Sequence, residues 1–234
     1  MKVKLSILVS VLLCSVTATG QEQAQGLSAG LFQKKWLIGG SFQSNWTKIS
    51  GKDLPETYFG KPSVSGLIQG EYFFKERLGV GVGFGYQQKG AGIKNPDYVK
   101  DLGDADSTNR ERLRFHGLDL PVYLCYRGPA LGQTGMRLSG RLGPALSYNT
   151  QSTRIWHSVE DGFHDIQKQP DLYDRFGAYL VSSFGVDVNA GNTTLFQFQF
   201  FFHQGLNNVY RDAATFGSAI GRNRGYGFQV GFFY

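Results

Sequence analysis

Five groups of residues in this chain have types and spacings from which chemistry could be built. Gly79-Val-Gly-Val-Gly-Phe-Gly85 has the glycine density of a phosphate-cradling loop. Such a loop joins a strand to a helix whose N-terminus holds the anion. Here the alternation of glycine with apolar residues runs on through Tyr86 and Gln87, and no helical pattern follows. The glycines therefore read as one face of a strand. Asp101, Asp104, Asp106 and Asn109 could offer oxygens to calcium, but their spacing fits no EF-hand template, and a solvated loop is expected. His157 and His164, with Glu160, Asp161 and Asp165, form a candidate metal set in a polar stretch. His116 and His203 fall near strand ends, where a histidine beside a serine or carboxylate could act as a general base. No such pairing is readable from one sequence, so no catalytic residue, metal ligand or cofactor is assigned.

The last group is charge. Glu71, Asp119, Arg137, Arg141, Arg175 and Asp187 each stand on the polar side of an alternating segment. Counting back from the turns sets Arg141 near Asp119 and Arg137 near Asp187. Charges enclosed together should pair, because an unpaired buried charge costs roughly several kcal/mol. A second basic set gathers where the alternating segments meet long polar stretches: Lys89, Lys94, Arg110, Arg112, Arg114, Arg154, Arg222 and Arg224. Such a collar could meet lipopolysaccharide phosphates, or it could be ordinary rim solvation.

These residues need elements to position them, and the chain supplies strands. The last ten residues place Tyr226, Phe228, Val230, Phe232 and Tyr234 on one face, with Gly225, Gly227, Gln229, Gly231 and Phe233 on the other. A strand sends successive side chains to opposite faces, so one face here is wholly apolar. Seven more segments repeat the pattern: 35–46, 64–75, 78–88, 113–127, 136–149, 173–188 and 194–203. In 78–88, Leu78, Val80, Val82, Phe84 and Tyr86 oppose four glycines and Gln87. In 113–127, Pro121 forfeits one ladder bond.

The connections run long, short, long, moderate, long, short, long. Alternating short turns and long loops, with an even strand count, predicts an all-β, eight-stranded antiparallel up-and-down transmembrane barrel. Both termini and the short turns are then periplasmic, and the four long loops lie outside the cell. Alternation alone does not say which face is inside, and a soluble barrel around a ligand would share the topology. Charges on the opposite face, with its Gly, Ser and Gln, favour the apolar face outward, because such a core would not drive folding in water. An eight-stranded barrel is about wide enough for its own side chains, so a plugged interior is expected rather than an open channel.

The remaining features fit export. Residues 1–20 read as a signal peptide: Lys2 and Lys4, an apolar run from Leu5 to Val16, and small residues before Gln21. Residues 21–234 are then one barrel domain. Cys14 follows Leu13 within the apolar run, which argues against lipidation. The mature chain keeps Cys125 alone, so it has no internal disulfide. The formal charge of +6 is mild and does not call for a nucleic-acid partner.

Several stretches resemble the PorT-like outer-membrane β-barrel family of Bacteroidetes-type bacteria. Glu71-Tyr-Phe-Phe-Lys-Glu-Arg-Leu-Gly79 with Gly85-Tyr-Gln-Gln-Lys-Gly90 is similar to that family's second hairpin. Leu118-Asp-Leu-Pro-Val-Tyr-Leu-Cys-Tyr126 and Gly140-Arg-Leu-Gly-Pro-Ala-Leu-Ser147 resemble its next two strands. The resemblance implies a barrel of the Gram-negative outer membrane more firmly than an activity. Its aromatic terminus, with Phe232 and Tyr234, resembles the signal read by the barrel-assembly machinery. The expected role is structural or partner-binding, through loops that meet an unknown protein partner and through a wall against lipid and lipopolysaccharide. A rim enzyme acting on lipid or peptide, or a narrow channel, are the alternatives.

Overall fold

The computed structural model describes residues 35–54, 57–94, 110–131, 135–157, 164–168, 173–190, 194–211 and 219–234. Expectations placed on residues 1–20, on Asp101, Asp104, Asp106 and Asn109, and on Glu160 and Asp161 lie outside them.

Eight long strands form the wall: β1 (Trp36–Lys52), β3 (Lys61–Phe73), β4 (Leu78–Lys94), β5 (Arg110–Ala130), β6 (Met136–His157), β8 (Phe176–Asn189), β9 (Leu195–Gly205) and β10 (Ile220–Phe233). Each pairs antiparallel with its chain neighbour in this set, and β1 pairs with β10, with Gly39 opposite Phe233 and Lys52 opposite Ile220. The sheet therefore closes on itself and leaves no free edge, which a wall in hydrocarbon requires. Two short strands extend it at the long-loop end. β2 (Thr57–Phe59) runs beside β4, and β7 (His164–Lys168) pairs with the end of β6.

The apolar set of each strand faces outward. Phe184 is 67% exposed and Ile68 72%, whereas Asp187 is fully buried. Alternation between them is strict along β10. Aromatic rows bound this band. At the short-turn end Trp36 packs on Tyr72 with ring centres 4.5 Å apart. At the other end Trp46 stacks on Tyr226 at 6.4 Å, and Tyr148 meets Phe176 at 5.2 Å. Leu78 to Tyr86, the β4 stretch between the two rows, matches the roughly nine to eleven tilted residues that cross a hydrocarbon core.

The strands outrun the sequence reading at the long-loop end, where β1, β4 and β6 continue six or more residues past the predicted limits of 46, 88 and 149. Segments expected to be loops are strands there because they have an apolar inner face of their own. Ile49, Ala91, Leu113, Phe115, Tyr173, Tyr210 and Ala219 are buried together, with Leu54, Tyr58 and Val209 against them. Phe115 meets Tyr173 edge-on at 5.0 Å, and Tyr210 donates to the Tyr58 hydroxyl at 2.7 Å. This crown stands above the aromatic rows and caps the mouth.

Candidate functional site: the closed lumen and its rim

Inward-facing side chains fill the barrel in layers. At the short-turn end Leu37, Phe73, Tyr123, Cys125, Leu195 and Phe233 form an apolar seal. The glycines of β4 make room for it: a Cβ on Gly81 would lie 2.2 Å from the Tyr123 ring.

Above the seal lies an ionic layer. Arg141 donates through Nε to Glu71 Oε1 at 2.7 Å and through Nη1 to Gln199 Oε1 at 2.7 Å. Its Nη2 also contacts Glu71 and Gln197. Arg127, almost wholly buried, lies 3.7 Å from Glu71 and 3.6 Å from Asp187, with its guanidinium 3.7 Å above the Phe73 ring. Ser139 donates to Asp187 Oδ1 at 2.6 Å and accepts from Gln199 Nε2 at 3.0 Å. Two carboxylates and two guanidiniums thus form a neutral quartet: Arg141 is hydrogen-bonded to Glu71, Gln197 and Gln199, whereas Arg127 Nε and Nη2 and Asp187 Oδ2 make ion-pair contacts without a hydrogen bond. Pairing of opposite charges is what lets them be tolerated out of water.

The next layer holds one ion pair. Lys89 Nζ donates to both oxygens of Asp119 at 3.0 and 2.9 Å and to Ser147 Oγ at 3.0 Å, and it lies 3.7 Å from the centre of the Tyr179 ring. Ser147 donates to Asp119 at 2.6 Å. Ser, Lys and Asp are the parts of a nucleophilic site, but here all three are buried and bonded to one another. His203 packs edge-on to Tyr179 and is buried, with neither ring nitrogen hydrogen-bonded among the described residues. A Cβ on Gly225 would come within 2.3 Å of its ring, so glycine there gives the imidazole its space.

The expected charge pairs are re-drawn. Asp119 does not meet Arg141: Asp119 lies opposite Ser147, and Arg141 opposite Cys125. β5 runs on to Ala130 and shifts register between Arg127 and Ala130, so counting from a turn at 128 names Arg141 as the partner of Asp119, six residues short of Ser147. Arg137 lies directly opposite Asp187 in the ladder, as the count along the strands placed it, and Asp187 also has Arg127 3.6 Å away. Arg137 itself is half-exposed at the barrel end. Arg175 is not in the lumen. It precedes β8 in an exposed bend, while Tyr179, Ser183 and Asp187 carry the inward phase. Two inward cations were missed. Arg127 was read as the end of its strand, and Lys89 as part of the collar. For Lys89 a signal existed, since it continues the inward phase of Gly85 and Gln87.

At the rim, Arg112, Arg222 and Arg224 are exposed and Arg114 is half-buried, all on the outward face. Arg110 is placed by its backbone alone, opposite Lys94 and His157. His116 lies on the same face and shares a 2.5 Å hydrogen bond with the Tyr86 hydroxyl. His157 and His164 are cross-strand neighbours in the β6–β7 ladder. Among the described residues no cluster of His, Cys, Asp and Glu could hold a metal ion.

The fold is similar to several solved outer-membrane proteins. Ail, the attachment invasion locus protein of Yersinia pestis, matches at 9% identity over 86% of this chain and 100% of that one, with a TM-score of 0.41. OprG of Pseudomonas aeruginosa matches at 14% identity over 90% and 97%, with a TM-score of 0.46. Neisserial surface protein A matches at 12% over 85% and 96%, with a TM-score of 0.40. No curated protein sequence matches. Residues 23–211 match the model of the outer membrane protein beta-barrel domain. With that match over most of its length, the chain belongs to the outer membrane protein beta-barrel domain family, barrels of the Gram-negative outer membrane.

Proposed function

We propose that this protein is a sealed, non-conducting barrel whose work is done by surfaces: a rigid crown and loops offered to a partner outside the cell, and a wall offered to lipid. One observation carries the reading. The lumen is filled at three successive levels, by the apolar seal, the Arg127–Arg141–Glu71–Asp187 quartet and the Lys89–Asp119 pair. A water path would have to cross all three. A packed interior, with β4, β5 and β6 extended beyond the bilayer, leaves the outer surface as the place for function, where loops on a stiff scaffold bind partners.

Several narrower points belong to the same reading. The PorT-like kinship rests on the four stretches quoted above. Export is by the leader over residues 1–20. The barrel-assembly machinery reads the outward pair Phe232 and Tyr234, whose rings meet edge-on at 4.7 Å. The partner at the crown is a protein, and chemistry is not part of the role.

Purified protein in planar bilayers tests the seal. Silence under applied voltage is expected, and steady nanosiemens-scale conductance would overturn the reading in favour of a channel. Crosslinking in intact outer membranes, through residues of the crown, should then capture a specific protein.

A further inference from the structure

The wall closes on itself, but one strand above it keeps a free edge. β7 pairs with the end of β6, and among the described residues nothing pairs with its other side. Alternate residues of such a strand aim their N–H and C=O groups away from the sheet, where water or a further strand must take them. No proline blunts that edge, and the middle residue of β7, Ile166, is 62% exposed. On β6 the upper aromatic row is marked by Tyr148, and β7 lies beside Thr153 to His157, beyond it. Ile166 therefore meets water rather than lipid. It stands opposite Ile155 in the ladder, and an apolar cross-strand pair left at an edge is what a further strand would continue.

The sheet beside that edge is segregated by charge. Register sets Arg110, Arg112 and Arg114 of β5, Lys94 of β4 and Lys168 of β7 on one face, the face of Ile155 and Ile166. Glu111 and Asp165, the acidic residues of the same rows, fall on the other face. Arg112 and Lys168 are exposed, and no ion pair among the described residues engages either. A strand added to β7 would meet Ile166 with His164 and Lys168 to either side of it on one face. The arginines of β5, further in on that face, add to the field that draws it. A second copy joined edge to edge would bring two basic faces together, which like-charge repulsion opposes. A sulfated glycan would use the charges and leave the edge groups and Ile166 unmatched. An acidic polypeptide matches all three.

We propose that the free edge of β7 takes an extended acidic segment of a partner protein as its next strand, with an apolar residue set against Ile166 and an acidic one two places to either side. The inference rests on the partner-binding reading above and names the chemistry of that partner. The probe is the peptide acetyl-Thr-Asp-Thr-Val-Thr-Asp-Thr-amide, whose symmetry suits either strand direction. It is titrated onto the folded full chain in lipid nanodiscs and followed by amide shifts and hydrogen exchange. Binding should slow the exchange of amides within 164–168. Lysine in place of both aspartates should weaken it at least about tenfold, and so should N-methylation of one alternate set of peptide amides, the set facing β7, but not of the other. Arg112→Glu/Lys168→Glu should also weaken it about tenfold, and the charge-matched Lys48→Glu/Arg224→Glu, at solvated rim positions, by only about twofold. Equal binding of both N-methylated forms would leave diffuse attraction alone and overturn the proposal, and so would unchanged exchange at 164–168. Tighter binding of a sulfated oligosaccharide, lost in the first variant, would hand the face to a glycan. Crosslinks from Ile166→Cys to a second copy, or to residues 95–109, would hand the edge to this chain itself. Should a variant not fold, the two N-methylated peptides on the unmodified chain decide. Capture of a protein through other crown residues, with β7 silent, would reject this inference and leave the function above standing.

Discussion

The lumen within the bilayer and the crown above it are built on opposite rules from the same strands. In the lumen the inside is polar and the outside oily: Asp187 and Arg127 are buried while Phe184 and Leu142 face out. A few residues further along, β1, β4 and β5 turn Ile49, Ala91, Leu113 and Phe115 inward. The backbone phase never changes. What changes is the solvent. Where lipid surrounds the wall, apolar side chains gain nothing by going inside, and the interior is free to hold charges provided they are paired. Where water surrounds it, burial of Phe115, Tyr173 and Tyr210 again drives packing. The crossing from one rule to the other lies between Lys89 and Ala91 on β4, and between Phe115 and Asp119 on β5.

The contrast can be broken from either side. The largest effect should come from the ionic quartet. Glu71→Ala leaves Arg127 and Arg141 facing each other with one carboxylate between them, at a cost of about 3–5 kcal/mol. Urea unfolding in lipid vesicles would measure it, and Glu71→Leu combined with Arg141→Met should recover much of the loss. Next comes the lipid face. Val82→Arg, midway between the aromatic rows, should cost about 2–4 kcal/mol in vesicles.

In the crown the effects should be local. Phe115→Ala removes a ring packed on Tyr173 and should weaken the crown by about 3 kcal/mol. Limited proteolysis of the variant should then cut the outer segments while the heat-modifiable gel shift of the folded barrel persists. If the whole barrel unfolded together, the division into two regions would be wrong. Smallest is Tyr210→Phe, which removes the bond to Tyr58 and should cost about 1 kcal/mol, visible only as faster proteolysis of the crown.

Much of the lumen was legible because alternation carries its information residue by residue. Glu71, Asp119, Arg141 and Asp187 stand inward as the period-two pattern placed them, and their outward neighbours are the apolar ones. Phase failed only where a segment's edge was misjudged. Arg175 was counted into β8 one residue early, and Lys89 was assigned to the rim because its strand was ended one residue before it. The crown was invisible for a different reason. Its apolar residues are scattered through stretches rich in Gly, Asp, Asn and charge, and they make a core only when segments far apart in the chain meet over the mouth.

The sequence by itself determined that this is a closed ribbon of eight long alternating strands, and which face of each is greasy. That follows from covalent geometry, since neighbouring side chains on an extended chain must point opposite ways. Only the tertiary structure decided which charges meet. Arg141 bonds to Glu71 on a strand it never pairs with, because both reach across a lumen whose stagger and width are properties of the whole closed sheet. No local count along neighbouring strands could have found that contact.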